Sequence, residues 1–423
     1  MSLFAELQAR GLIDRSTSEE LAGKLDQGGL TFYVGFDPTA DSLHVGQLAV
    51  FNFMALLQRG GHHPVGLLGG ATGMIGDPGG KSAERNLLSA EQLEANIQGI
   101  AAQIRRFLDF NEGAPAQVVN NHDWLKEWSY IDFLREVGKH FSVNQMVQRD
   151  SVKSRLEREG AGISYTEFSY MLLQAFDFVE LHKRLGVTLQ LGGSDQWGNI
   201  VSGIDLGRRL GCDQLYGLTM PLITKADGSK FGKSESGTIW LSGAKTSAYE
   251  FYQFFLNQAD EDVVRFLKVL TMVPLEEIEA LAEQVVSEPH KRAAQRRLAE
   301  EVTRRVHGQE QLDKVLRASQ MLFGGEISDL DEEMIGQIFK DVPSVQIERA
   351  RLDAGLPLID ALAESGACDS KGQARKLIQG GGANVNNVKV SDLDYALTTR
   401  DLCSSRHIVL RAGKKNYRLL ELL

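Results

Sequence analysis

Residues 33–47 read YVGFDPTADSLHVGQ. An apolar strand ends at Phe36, a polar turn follows, and a helix begins near His44. Thr39 and His44 therefore lie at a helix N-terminus beside the carboxyl end of a strand, where backbone donors and the positive end of the helix dipole suit phosphate oxygens. Gly46 has no side chain, which lets a flat ring approach the backbone. A histidine alone in such a place is more often part of a capped turn.

The first 225 residues continue this alternation of strands and helices. Short apolar runs bounded by Gly, Pro or Asn predict buried strands at 30–36, 65–68, 117–120 and 187–191. Helical patterns begin after Ser42, at Ser89 with Gln92 placed to complete a capping box, and near Glu167. The alternation predicts an α/β fold, a doubly wound parallel sheet with helices on both faces and ligands at the carboxyl ends of its strands.

Beyond residue 225 the pattern changes. The predicted domains are 1–225 for the α/β sheet, 226–246 for a polar mobile loop and connection, 247–321 for a helical domain, 322–355 for a connecting region and 356–423 for a small α+β domain. In the last of these we predict a helix at 371–379, one alternating strand at 383–390 and a hairpin near 411–420.

Composition excludes several classes of protein. The 423 residues carry a net charge of -10 and ordinary globular proportions, with no apolar run long enough for a membrane span. The 3 cysteines include no C-x-x-C pair, so we expect neither a disulfide framework nor a cysteine zinc site, and the reducing cytoplasm fits best. Residues 356–423 carry 10 Lys and Arg against 7 Asp and Glu, an excess that allows a local nucleic-acid contact and that is small enough to arise by chance. The acidic remainder of the chain disfavours general DNA binding.

Two glycine-rich motifs are misleading. GATGMIG at 70–76 matches a dinucleotide-binding pattern, but the following Asp77-Pro78-Gly79-Gly80 breaks the helix which that motif needs. Segments 76–82 and 228–234 resemble phosphate-binding loops, yet each has one residue too few between its glycines. A dehydrogenase and a P-loop enzyme are therefore both disfavoured.

The second informative motif is KFGKS at 230–234, in a loop rich in glycine and serine. Lys230 and Lys233 flank Phe231-Gly232, and such a loop can close over a triphosphate and bring two cations to the leaving pyrophosphate. A pair of lysines alone is usually a solvated surface feature, but the combination with residues 33–47 is specific.

These motifs resemble those of a known family. HVGQ at 44–47 and KFGKS at 230–234 are similar to the HIGH and KMSKS signatures of class I aminoacyl-tRNA synthetases. The runs GFDPTADSLH at 35–44, TEFSY at 166–170 and GGSDQWGN at 192–199 resemble bacterial tyrosyl-tRNA synthetases closely. The resemblance extends over essentially the whole chain and implies a Rossmann-like catalytic domain, a helical anticodon-side domain and an RNA-binding tail.

Site residues follow from the resemblance, position by position. The tyrosine-binding positions are Tyr33, Asp37, Asp77, Tyr170, Gln174, Asp177 and Gln196. The ATP-binding positions are Gly35, His44, Gly46, Gly192, Asp195, Lys230 and Lys233. The positions implied in stabilising the departing pyrophosphate are Thr39, His44, Gln47, Lys81, Arg85, Lys230 and Lys233. Gln47 stands where the signature has its second histidine; its amide can still donate a hydrogen bond but cannot carry a positive charge.

The residue pattern agrees with part of this assignment. Tyr170, Gln174 and Asp177 follow at i, i+4 and i+7, so one face of a helix presents all three. A phenol, an amide and a carboxylate on one face suit a ligand with an ammonium group and a hydroxyl group. The alternative is a polar stripe that faces a neighbouring helix.

The tail resembles the RNA-binding domain of a small-subunit ribosomal protein. SKGQARKLI at 370–378 carries Lys371, Arg375 and Lys376, which could contact RNA phosphates or form an ordinary exposed basic helix. Asp260 matches an anticodon-contacting position of relatives, although an acidic helix start explains it equally well.

We expect a tyrosine–tRNA ligase that uses L-tyrosine, Mg-ATP as substrate and tRNA(Tyr), with no tightly bound cofactor and no protein-held metal. By resemblance we also expect a cytoplasmic homodimer that binds neither a membrane nor DNA. Segments 124–133 and 143–146 are candidate dimer-interface elements. The alternatives are a tryptophanyl-tRNA synthetase and a non-catalytic, RNA-binding relative of the synthetases.

Overall fold

A computed structural model describes residues 1–77, 88–149, 152–153, 156–157, 162–234, 237–322, 327, 332–339, 342–413 and 416–423. These residues form two compact units, Met1–Thr246 with Phe254–Val306 and Ser247–Gln253 with His307–Leu423. The units do not follow the expected boundaries, because residues 254–306 of the expected helical domain pack within the first unit. The functional division into domains stays a prediction.

The first unit is built on a six-stranded sheet of order β1-β6-β5-β2-β3-β4. Its strands are β1 (Arg15–Ser16), β2 (Thr31–Phe36), β3 (His63–Leu68), β4 (Gln117–Asn120), β5 (Leu189–Gly193) and β6 (Tyr216–Met220). Strands β2 to β6 pair in parallel, and β1 is antiparallel to β6. The predicted doubly wound parallel sheet is confirmed, with β1 and β6 as additional strands.

α-Helices precede, separate and follow these strands along the chain. Up to residue 307 they are Leu3–Ala9, Glu20–Gln27, Leu48–Arg59, Thr72–Ile75, Ala90–Phe107, His122–Leu125, Tyr130–Glu136, Val143–Met146, Tyr165–Leu185, Trp197–Arg209, Ala248–Leu256, Asp260–Leu270, Leu275–Ser287 and Ala293–His307. Among the described helices, none combines the length and apolar character that crossing a membrane requires. Only one of the two hydrogen bonds of the expected capping box forms: Ser89 Oγ accepts from Gln92 N at 3.2 Å. The Gln92 side chain does not bond to the Ser89 backbone, because its Nε2 donates to Asn96 Oδ1.

The segment between β2 and the next helix is pressed against the helix Ala90–Phe107. A Cβ atom at Gly99 would lie 2.1 Å from the Asp41 carbonyl oxygen, so only glycine fits this crossing. One turn later, Gln103 Oε1 accepts from Leu43 N at 2.9 Å and Gln103 Nε2 donates to Ser42 Oγ at 2.8 Å. The backbone that leads to His44 is therefore fixed before the site begins.

The second unit contains a five-stranded sheet of order β12-β11-β14-β15-β9 and a pair β10–β13. The strands are β9 (Ser344–Ile347), β10 (Leu356–Pro357), β11 (Ala383–Val385), β12 (Val388–Val390), β13 (Ala396–Leu397), β14 (His407–Ala412) and β15 (Asn416–Leu422). The helices are Gln309–Leu322, Glu332–Ile338, Arg349–Asp353, Leu358–Glu364 and Lys371–Gln379, and residues 248–253 of Ala248–Leu256 also belong here.

Two expectations about this unit differ from the structure. The expected single strand at 383–390 is a hairpin, because Asn386 and Asn387 adopt φ of 47° and 65° and turn the chain between β11 and β12. The expected connection at 322–355 contains β9, which pairs in parallel with β15. The folded C-terminal unit therefore begins well before residue 356.

Replacing Gly99 by alanine should destabilise the protein, because the new methyl group meets a backbone atom that cannot rotate away. We expect a loss of about 1–3 kcal/mol, seen as a lower thermal unfolding midpoint. Gly23→Ala is the matched control: Gly23 also lies in a helix, nothing lies within 4 Å of its Cβ position, and alanine there should stabilise slightly. Equal midpoints for the two variants would contradict the close crossing.

Candidate active site

A buried hydroxyl and a buried carboxylate lie close together beside β2. Tyr33 on β2 and Asp177 on the helix Tyr165–Leu185 are each 1% exposed. Burial raises the pKa of Tyr33 well above its usual range, and the nearby charge of Asp177 raises it further. Tyr33 Oη has no hydrogen-bond partner among the described residues. A buried hydroxyl without a partner is costly, so this atom marks a place where a polar ligand group fits.

Asp177 is oriented by two donors. Asn121 Nδ2 donates to Oδ2 at 2.9 Å and Trp124 Nε1 donates to Oδ1 at 2.8 Å. Burial raises the pKa of Asp177 to about 7, although both donors favour the charged form. A further donor from a ligand would favour the charged form again, so this carboxylate is suited to accept a hydrogen bond from a hydroxyl.

A chain of hydrogen bonds joins Asp177 to a second carboxylate. Asn121 Nδ2 also donates to Thr72 Oγ1 at 3.0 Å, and Thr72 Oγ1 donates to Asp37 Oδ1 at 2.9 Å. Tyr170 Oη donates to Asp37 Oδ2 at 2.9 Å. Tyr170 and Asp177 thus reach one connected network from the same helix, as their spacing predicts.

Three further predicted residues meet in a second cluster. Gln174 Nε2 donates to Gln196 Oε1 at 3.2 Å, and Gln196 Nε2 donates to Asp77 Oδ2 at 3.0 Å. Gln196 Nε2 also lies 3.3 Å from Oδ2 of the exposed Asp195. Gln174 Oε1 is buried and has no partner in the described part of the chain. The predicted tyrosine-binding residues are therefore brought together in space.

Glycines open the sheet where β2 and β5 end. Gly35 is exposed, and nothing lies within 4 Å of its Cβ position. At Gly192 a Cβ atom would lie 3.1 Å from Gln196 Cβ, and at Gly193 it would lie 2.5 Å from Asp195 Oδ1. Side chains at these strand ends would close the space beside Asp195.

The His44 ring folds over its own turn. Its Nδ1 accepts from Gly46 N at 3.0 Å, and burial lowers the pKa of this histidine. A Cβ atom at Gly46 would lie 2.6 Å from His44 Cε1, so the glycine makes room for the imidazole. The approach of a flat ligand ring to Gly46 stays a prediction. Gln47 Oε1 is buried without a partner among the described residues.

The two signature motifs are brought together by backbone hydrogen bonds. Ile239 N donates to Gly232 O at 3.0 Å, and Val45 N donates to Ile239 O at 3.0 Å. A Cβ atom at Gly232 would lie 2.9 Å from Val45 Cγ2 and 3.8 Å from His44 Nδ1. Lys230 is exposed in the same loop. The segments that carry His44 and Lys230 are thus direct neighbours.

For other predicted residues the structure gives fewer contacts, or describes only the backbone, or gives no description. Thr39 is exposed, and its N–H donates to Asp37 O at 2.9 Å. The description of Lys233 covers its backbone, in a short strand β7 (Lys233–Ser234) that pairs with β8 (Gly237–Thr238). Lys81 and Arg85 lie outside the described residues.

The predicted RNA-contacting residues lie elsewhere. Arg375 and Lys376 are exposed on the helix Lys371–Gln379, and Lys371 Nζ forms an ion pair with Asp360 Oδ1 at 2.9 Å. Asp260 begins the helix Asp260–Leu270 and accepts a hydrogen bond from Gln295 Nε2 at 2.5 Å.

Sequence reasoning missed four residues that line or support the pocket, namely Thr72, Asn121, Trp124 and Gln190. Asn121 directly follows β4 at the ligand-binding edge, a position that could have identified it. Gln190 pairs with Tyr33 across β5 and β2, is 3% exposed, and its Oε1 has no partner among the described residues. A glutamine inside an otherwise apolar strand was the available signal.

Acidic and amide groups therefore form one set of contacts, and the segments that carry His44 and Lys230 form another. The first set suits an ammonium group and a hydroxyl group, and the second suits phosphates. Among the described residues, no three His, Cys, Asp or Glu side chains are placed to hold a metal ion.

Comparison with known proteins finds matches over both units. Residues 25–324 match the model of class I tRNA synthetases (W and Y), and residues 334–420 match the model of tyrosine–tRNA ligase SYY-like C-terminal domains. The tyrosine–tRNA ligase of Geobacillus stearothermophilus is 51% identical over 423 residues, which cover 99% of each chain.

Solved structures agree as well. A C-terminally truncated mitochondrial tyrosyl-tRNA synthetase of Aspergillus nidulans has a TM-score of 0.67 at 32% identity, over 76% of this chain and 94% of that chain. A Plasmodium falciparum tryptophanyl-tRNA synthetase has a TM-score of 0.53 at 14% identity, over 79% of this chain and 87% of that chain, and shares the fold alone. Because a sequence identity of 51% extends over both units, the chain belongs to the tyrosine–tRNA ligases, an ATP-dependent family of class I aminoacyl-tRNA synthetases.

Proposed function

We propose that this chain activates L-tyrosine with ATP to tyrosyl-adenylate and pyrophosphate, and then transfers the tyrosyl group to the 3′ end of tRNA(Tyr). The observation that carries the proposal is the buried, unpartnered Tyr33 Oη next to the Asp177 carboxylate. A phenolic hydroxyl both accepts and donates a hydrogen bond, so it satisfies Tyr33 and Asp177 together. An indole N–H is a single donor and can serve either Tyr33 Oη or the Asp177 carboxylate but not both, which disfavours tryptophan.

The remaining tyrosine-binding residues would hold the amino-acid end of the substrate. Asp77, Tyr170 and Gln174 would bind the ammonium group, with Asp37 and Gln196 near the ammonium and carboxylate ends. Their support is the hydrogen-bond network through Asp37 and the cluster around Gln196. Because these groups already bond to one another, tyrosine would enter a largely preorganised site.

ATP would lie at the glycine-lined strand ends. Gly35, Gly46 and Gly192 would lie along the nucleotide, and Asp195 would bind its ribose. The tyrosine carboxylate attacks the α-phosphorus, and pyrophosphate leaves with the electron pair of the broken P–O bond. No side chain needs to act as a covalent nucleophile, and Mg²⁺ would arrive with ATP as part of the substrate.

Cations and donors would act on the departing pyrophosphate. The proposed residues are Thr39, His44, Gln47, Lys81, Arg85, Lys230 and Lys233. Burial lowers the pKa of His44 and so favours its neutral ring, which would act as a hydrogen-bond donor. Charge develops on pyrophosphate in the transition state, where preorganised groups accelerate the step.

Tyrosine-dependent exchange of labelled pyrophosphate into ATP tests the function, and substitution of the pocket tests its specificity. We expect exchange with tyrosine, little with phenylalanine and none with tryptophan. Tyr33→Phe should weaken the preference for tyrosine over phenylalanine by roughly 0.5–1.5 kcal/mol, and Asp177→Asn by about 1.5–3 kcal/mol because it removes a charged acceptor. An unchanged preference in both variants would refute the pocket, and absence of exchange in the wild type would favour a non-catalytic RNA-binding protein.

We also propose that the C-terminal unit binds tRNA, with Lys371, Arg375 and Lys376 on phosphates and Asp260 of the first unit on the anticodon side. Exposure of Arg375 and Lys376 supports this assignment.

Replacing both Arg375 and Lys376 by alanine should raise KM for tRNA roughly tenfold and leave pyrophosphate exchange unchanged, because phosphate contacts dominate affinity. Arg400→Ala removes an exposed charge from the same unit and is the control. Equal charging by all variants would contradict the proposal. Truncation at residue 356 is less informative, since it would separate β9 from β15.

We propose further that the protein is a cytoplasmic homodimer. Its supporting observation is a set of large exposed apolar side chains in and beside the expected interface segments, namely Tyr130 (62%), Ile131 (69%), Val143 (61%) and Tyr165 (61%). Tyr130 Oη and Tyr165 Oη lie 3.1 Å apart, so these two exposed side chains adjoin each other. Light scattering at micromolar concentration should give twice the chain mass, and the mass of a single chain would refute the dimer.

A further inference from the structure

A buried carboxylate outside the pocket holds the base of the signature loop. Asp262, on the helix Asp260–Leu270, is 3% exposed, and its Oδ1 accepts a hydrogen bond from Ala226 N at 2.8 Å. Arg265, one turn later, donates to Thr224 O and lies 3.4 Å from Asp262 Oδ1. The two side chains therefore clasp the chain on both sides of residue 225.

The clasp lies where the loop closes. Thr224 and Lys230 form an antiparallel bridge, and Lys225 N donates a hydrogen bond to Ser229 O at 2.9 Å. The backbone position of Lys230 is thus tied directly to the residue whose carbonyl Arg265 holds. Any shift of Thr224 would be passed to Lys230.

The helix Asp260–Leu270 also packs against Phe231, at the other end of the loop. The Phe231 ring, 6% exposed, packs with its centroid 4.5 Å from that of Phe266, and Phe254 and Phe255 lie 5.6 and 6.1 Å away. Asp262, Arg265 and Phe266 follow at i, i+3 and i+4, so one face of the helix Asp260–Leu270 carries all three, while Phe254 and Phe255 belong to the helix Ala248–Leu256. Lys230 and Lys233 lie on either side of the anchored Phe231.

The charge on Asp262 is not explained by stability alone. Burying a carboxylate costs free energy, which the place of Asp262 in the first turn of its helix offsets only in part. The Asp262 carboxylate accepts the hydrogen bond from Ala226 N. It also pairs with Arg265 and so orients the guanidinium toward Thr224 O. These two contacts define where the loop begins.

We propose that Asp262 is a positioning residue for adenylate formation: together with Arg265 it fixes the base of the 224–231 loop so that the flanking lysines meet the departing pyrophosphate. The inference deepens the proposed function and rests on it. Asp262 touches no substrate, so its removal should misplace the lysines without altering the tyrosine pocket. A displacement of about 1 Å at such a site can cost roughly 100-fold in rate.

The test compares Asp262→Ala and Asp262→Asn with Glu261→Ala, which removes an exposed acidic side chain from the same helical turn. We expect Asp262→Ala to slow pre-steady-state adenylate formation about 10- to 100-fold, with tyrosine Kd within about twofold of wild type. Asp262→Asn should recover part of the rate, because its amide oxygen still accepts from Ala226 N. Glu261→Ala should match wild type. A wild-type rate in Asp262→Ala, or equal losses in tyrosine affinity and in rate, would overturn the proposal.

Hydrogen exchange of the loop amides provides a measurement that needs no activity. Exchange at residues 226–232 should be faster in Asp262→Ala than in wild type or Glu261→Ala, and equal exchange in all three would overturn the clasp. A wild-type protein without tyrosine-dependent pyrophosphate exchange would refute the proposed function instead, whatever the exchange of the loop amides shows.

Discussion

The candidate site depends on the carboxylate of Asp177, which is buried away from water. Asp177 lies in the apolar surroundings of Tyr33 and Phe178, and the donors from Asn121 and Trp124 offset part of the cost of its burial. The offset is incomplete, as the raised pKa of Asp177 records. Its position therefore requires a rigid frame, which the parallel sheet and the long helix Tyr165–Leu185 provide.

This frame also explains how distant segments of the chain reach one another. Asn121 follows β4, Thr72 follows β3 and Asp37 follows β2, so three neighbouring strand ends contribute to one hydrogen-bond path. The path continues to Tyr170 on the helix that carries Asp177. Loss of one member leaves another buried polar group without a partner, so the path acts as a unit.

Sequence reasoning was most successful where periodicity and burial coincide. The strands β2, β3 and β5 are largely buried, whereas β4 was correctly placed but is exposed or only half-buried along its length. The spacing of Tyr170, Gln174 and Asp177 placed them on one helical face. It was unsuccessful where contacts between distant segments decide the structure. Strand β6 reads YGLTM, which is not an evidently apolar run although all five residues are buried, and β1 exists only because it pairs with β6. The imidazole of His44 over Gly46 depends on a rotamer that no spacing predicts.

The strand order of the second unit has a consequence for protein synthesis. Strand β15 is the last of its sheet in the chain, yet it lies between β14 and β9, and β9 pairs with it in parallel at the edge of the described sheet. While the chain emerges from the ribosome, β9 is made early and must wait for more than sixty intervening residues before its partner exists. Such long-range parallel pairing is slow, and an unpaired strand edge invites association between nascent chains. The six-stranded sheet of the first unit has all its strands by Met220, so the sheet that carries the candidate site can form while the other is still incomplete.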